Sequence, residues 1–82
     1  MLYLDWMQLD YGAATYLYGE VSVPESTSAS KIFVSPGTYD TIGTKVTKYS
    51  ANYLGSHKIG VWAFGSGFAS GNIIEIPVMV FA

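Results

Sequence analysis

The sequence predicts an all-β chain, a single small antiparallel sandwich or barrel-like domain of about six strands without significant helix. Three observations carry this. Apolar residues recur at period two in short runs, the mark of half-buried strands. Turn-forming Gly, Pro, Asp and Ser separate the runs at intervals of about 8–14 residues, as in small all-β folds. Between them lies no stretch with a sustained helical period, and the 82 residues suit one domain, residues 1–82.

Met1–Gln8 reads as the first strand, with Leu2, Leu4 and Trp6 on one face and Tyr3, Asp5 and Met7 on the other. Asp10-Tyr11-Gly12 supplies a turn, because Asp tolerates and Gly favours left-handed backbone. Residues 14–23 form the second strand. Leu17, Val21 and Val23 face inward, with Gly19 as a possible bulge site, and Tyr16, Tyr18, Glu20 and Ser22 face outward. Pro24–Ser30 is polar and reads as a surface loop. Lys31–Ser35 is a short strand with Ile32 and Val34 inward, and Ser35-Pro-Gly-Thr38 fits a type II turn.

In Tyr39–Tyr53, β-branched Thr41, Ile42, Thr44, Val46 and Thr47 weigh against a helix. Residues 45–53 therefore read as a strand with a bulge. Gly55–Lys58 is a tight connection into the strand 59–64, whose Ile59, Val61 and Ala63 oppose Trp62 and Phe64. Gly65–Gly71 reads as a glycine-rich hairpin loop. The last strand, 73–82, alternates Ile74, Ile76, Val78, Val80 and Ala82 with Ile73, Glu75, Pro77, Met79 and Phe81. Proline cannot donate to a ladder, so Pro77 sits at an edge, a bulge or on an unpaired side, and an edge position is expected for this strand over the sheet centre. An apolar edge needs cover, so Ile74, Ile76, Val78, Val80 and Phe81 are the expected interface with another subunit.

Composition narrows the partners. Only 12% of residues are charged and the net charge is −2, with four lysines and no arginine. Phosphate backbones require a basic patch, so nucleic acid is not expected. No run approaches the ~20 apolar residues of a membrane span, and the N-terminal residues do not resemble a signal peptide. A chain of this size buries only roughly 60–65% of its unfolded surface. It has no cysteine and a single histidine, so disulfides and Cys- or His-rich metal sites are not expected to support it. Oligomerisation is the remaining support.

The candidate reactive groups point away from catalysis, and no catalytic, metal or cofactor site is expected. Ser56-His57 places a nucleophile beside a base, but neighbours in a tight turn rarely reach triad geometry. The acids Asp5, Asp10, Glu20, Glu25, Asp40 and Glu75 form neither a glycosidase pair nor a calcium loop. The glycine-rich 65–71 segment lacks the lysine and following helix of a phosphate loop. Trp6, Trp62, Phe33, Phe64 and Phe81 read as core. Tyr16, Tyr18, Tyr49 and Tyr53 read as amphipathic surface aromatics, suited to a subunit interface or to stacking on a sugar ring.

In Ser22-Val-Pro-Glu-Ser-Thr-Ser-Ala-Ser-Lys-Ile-Phe-Val-Ser-Pro-Gly-Thr-Tyr39 and Gly60-Val-Trp-Ala-Phe-Gly-Ser-Gly-Phe-Ala-Ser-Gly71, the texture resembles small tailed-bacteriophage virion proteins. Those are accessory tail, tail-tip or capsid-decoration β-sandwiches. The resemblance implies a non-enzymatic structural subunit of a virion, made without a signal peptide and acting as a homo-oligomer or with other particle proteins. The alternative is a carbohydrate- or host-receptor-binding module using the surface tyrosines. The resemblance assigns no functional residue.

Overall fold

The computed structural model describes residues 1–37 and 41–82. Six antiparallel strands form one sheet: β1 (Tyr3–Ala13), β2 (Tyr16–Ser22), β3 (Lys31–Val34), β4 (Val46–Gly55), β5 (Lys58–Gly65) and β6 (Ile73–Phe81), in the order β3-β6-β1-β2-β5-β4. The outer strands β3 and β4 approach each other, so the sheet curls into a nearly closed barrel. The expected all-β fold is present, with one short 3-10 turn at Gly43–Lys45 before β4.

The period-two pattern is what fills the interior. Met7 and Leu9 of β1, Leu17 of β2, Ile59, Val61 and Ala63 of β5, and Ile74, Ile76, Val78 and Val80 of β6 form one buried cluster. Ile32, Val34, Tyr49, Ala51 and Tyr53 pack against it from β3 and β4. Burying such side chains stabilises a fold by roughly 1.5–3 kcal/mol each. Among the described residues, Ser26 is the one buried polar side chain; its hydroxyl donates to the Val23 carbonyl at 2.7 Å.

Several expectations are corrected. The strand 73–81 is not at an edge: it pairs with β1 along its length and with β3 from Val78 to Phe81. Pro77 is tolerated because β3 ends opposite Val78. Leu2 N–H donates to the Val80 carbonyl, so even-numbered polar groups of β6 face β1 and the ring nitrogen of Pro77 faces the side where β3 has stopped. Ile74, Ile76, Val78 and Val80, expected to meet another subunit, instead line the chain's own core. Phe81 is half-buried, edge-on to Phe33 at 5.8 Å.

Turns differ too. β1 runs on through Asp10-Tyr11-Gly12 with a bulge between Tyr11 and Ala13, and the chain turns at Ala14-Thr15. Gly19 is no bulge: a Cβ there would lie 2.5 Å from the Gln8 carbonyl oxygen, so its role is close approach of β1 and β2. The 65–71 segment is no hairpin, since β5 and β6 are separated by β2 and β1. It crosses one end of the barrel and buries Phe68 there, with Phe68 N–H donating to the Ala14 carbonyl at 3.1 Å. The expected turn at residues 35–38 ends outside the described residues, as does Asp40.

Candidate functional site

Antiparallel sheets with one face on the core place polar residues on the other. Strands β3, β6 and β1 depart from this. Their inward alternation puts Phe33, Pro77, Met79, Phe81, Leu4 and Trp6 outside. The ladder aligns Phe33 with Met79 and Met79 with Leu4, a row crossing three strands. Beside it, Pro77 pairs with Trp6. Leu4 is 61% exposed, Trp6 54%, Phe33 52% and Met79 38%. Contiguous apolar exposure of this kind is uncommon on a small chain.

The row encloses a shallow groove of about 120 Å³ lined by Leu4, Phe33, Val34, Ser35, Pro77 and Met79. Polar groups stand at the two ends of the face. Lys31, opposite Phe81, is at one end. At the other, Glu75 pairs with Gln8, whose amide donates to the Asp10 carboxylate at 2.6 Å.

A second outward face belongs to β2, β5 and β4. Tyr18 and Trp62 pair across strands with ring centroids 4.7 Å apart, and Tyr16 and Phe64 at 6.3 Å. The Lys48 ammonium sits 5.8 Å from the Phe64 ring centre, a cation–π contact. These rings are half-buried against one another. Burial, and then the hydrogen bond to the Glu20 carboxylate, pushes the Tyr18 phenol above its ordinary range.

The aromatic assignments therefore divide differently from expectation. Trp6 and Phe33 lie outside the core, and Trp62, Phe64 and Phe81 are partly covered on outer faces. Tyr16 and Tyr18 do face outward. Tyr49 and Tyr53 do not share that surface: they pack against the core from the inner face of β4. Burial raises the Tyr49 phenol, and the Tyr53 hydroxyl accepts the His57 N–H at 3.2 Å. Leu4, Phe33 and Met79 were not singled out as functional by sequence patterning. Their signal lies in strands apolar on both faces; the structure buries Ile74, Ile76, Val78 and Val80 and leaves Leu4, Phe33 and Met79 exposed.

Ser56 and His57 occupy the β4–β5 hairpin with φ of 51° and 60°, the twisted turn that two-residue hairpins favour. The His57 Nδ1–H donates to the Ser26 carbonyl at 2.8 Å, and the His57 carbonyl accepts from Val23 N–H at 2.7 Å. The imidazole thus fastens the 24–30 loop over the barrel end. Asp5, Asp10, Glu20, Glu25 and Glu75 are exposed. Among the described residues no three His, Cys, Asp or Glu side chains come together as a metal site.

No protein-family model, curated protein or solved structure matches this chain.

Proposed function

We propose that this chain is a non-enzymatic structural subunit that works by packing the outer face of β3, β6 and β1 into a larger assembly. The observation that carries the reading is the Phe33–Met79–Leu4 row with Trp6 beside it, apolar side chains exposed where strand alternation calls for polar ones. The small core makes partner burial a useful source of stability. Texture shared with tailed-phage tail and capsid accessory proteins is the reason for placing the assembly in a virion. Sedimentation velocity tests the reading. The wild-type chain is expected to form species larger than 8.9 kDa that are lost in Trp6→Ser and Met79→Ser. A chain that stays monomeric at millimolar concentration overturns it.

The Tyr18–Trp62 pair favours a second reading, a glycan- or receptor-binding face. Aromatic faces beside the polar Glu20, Ser50 and Asn52 suit a sugar ring with its hydroxyls. Glycan-array binding lost in Tyr16→Ala or Tyr18→Ala but kept in Trp6→Ser would support it. Absence of binding to any glycan removes it.

A further inference from the structure

Accepting that the outer face of β3, β6 and β1 is an interface, we infer that its occupant is a second copy of this chain, laid face to face with its strands antiparallel. Charge argues for this. Lys31 marks one end of the face, in the row of Phe81, and Glu75 marks the other, six residues away along β6. That separation is roughly 20 Å at the rise of a strand. The apolar row lies between them. Such a face is complementary to itself when rotated by 180° about an axis in the interface and perpendicular to the strands. The Lys31 end of each copy then lies over the Glu75 end of its partner, at both ends of the contact. The alternative two-fold, along the strands, sets Lys31 on Lys31 and Glu75 on Glu75, and like charges in register oppose association.

Shape agrees. The exposed Trp6 indole adjoins the groove bounded by Leu4, Phe33, Pro77 and Met79. A knob beside a hole on one face is what an isologous contact uses twice. Three strands span about 14 Å and β6 about 30 Å from strand spacing and rise, a face of about 400 Å², roughly half of the ~800 Å² per partner of a standard interface, which suits a weak dimer and leaves the Tyr18–Trp62 face free.

The test is a charge swap read by light scattering and sedimentation equilibrium, with circular dichroism to check each fold. Wild type should be a dimer of twice 8.9 kDa. Lys31→Glu and Glu75→Lys should each weaken it at least about tenfold, since each places like charges at both ends. The double variant Lys31→Glu/Glu75→Lys should recover an affinity near wild type. In a Trp62→Phe background, Trp6 emission should shift to the blue as concentration rises. A double variant as weak as either single one, or an oligomer other than a dimer, overturns the antiparallel pairing while the interface reading stands. A strictly monomeric wild type overturns both.

Discussion

Val34 is paired with Val78, and this last rung of the β3–β6 ladder ties the shortest strand to the chain's final one. All the ladder pairing of β3 is with Val78–Phe81. The same four residues also pair with or lie beside β1, and Val78 and Val80 are fully buried. Deleting residues 78–82 should therefore abolish folding and not merely trim a strand end. A chain of this size holds about 4–12 kcal/mol of total stability, and truncating a single buried aliphatic removes ~2–5. Circular dichroism should show no cooperative thermal transition. A truncated chain that melts cooperatively would show that β6 is dispensable.

Gly19 separates backbone contact from side-chain contact. A Cβ at Gly19 meets the Gln8 carbonyl oxygen at 2.5 Å and Leu9 Cδ2 at 2.8 Å, whereas at Gly60 the nearest atom is the tip of exposed Leu54 at 2.9 Å. Backbone cannot yield without spreading β1 from β2; a leucine tip can rotate. Gly19→Ala is expected to destabilise by about 1–3 kcal/mol, and Gly60→Ala by less than about 1 kcal/mol. Urea melts of the two variants check the order, and equal midpoints would contradict it.

These two glycines show what local pattern holds and what it lacks. Alternation in Leu17–Val23 marks the inner face, because the other side carries Tyr16, Tyr18, Glu20 and Ser22. In Ile59–Phe64 it separates the two faces, but the bulk of Trp62 and Phe64 reads as core although Ile59, Val61 and Ala63 are the buried side. Strand 73–81 is apolar on both sides, so period two identified its two faces without telling which was inside. Trp6 and Phe33 read as core for the same reason: bulk and apolarity do not state direction. Strand order was out of reach. Whether Gly65–Gly71 closes a hairpin or crosses the barrel end depends on where Phe68 is buried, a contact with residues far away in the chain. Pro77 occupies an unpaired side, one of the positions its chemistry allows, because β3 stops one residue early; the edge position does not follow, since the length of a partner strand is not written in the local pattern.

The His57–Ser26 contact predicts a local effect. Removing the imidazole leaves the carbonyl of a buried residue without this donor, at a cost of roughly 1–3 kcal/mol. His57→Ala should loosen the 24–30 loop before it unfolds the barrel, as local opening has its own free energy. Cleavage after Glu25 by a glutamate-specific protease should accelerate, while the melting transition stays cooperative. Ser26→Ala, which loses the hydroxyl bond to Val23, should act in the same direction. Unchanged cleavage in both variants would mean the loop is held by other contacts.

Alkaline pH should find the tyrosines. Burial raises Tyr3, Tyr18 and Tyr49 above their ordinary value of 10.0, with Asp5 adding to Tyr3 and the Glu20 hydrogen bond and charge adding to Tyr18. A raised folded value means the folded chain holds its phenolic protons where the unfolded chain releases them. The slope of unfolding free energy with pH follows protons bound unfolded minus folded, and here it is negative. The stabilisation is complete below pH 10 and is lost as pH climbs from there through the folded values. Denaturation midpoints should therefore be insensitive to these groups at neutral pH and fall above about pH 10. Tyr49→Phe removes the titrating hydroxyl while keeping the ring against the core, so it should flatten the alkaline fall. Tyr18→Phe should do the same and also free the Glu20 carboxylate. If both variants lose stability above pH 10 as steeply as wild type, ionisation of these two phenols is not what opens the barrel.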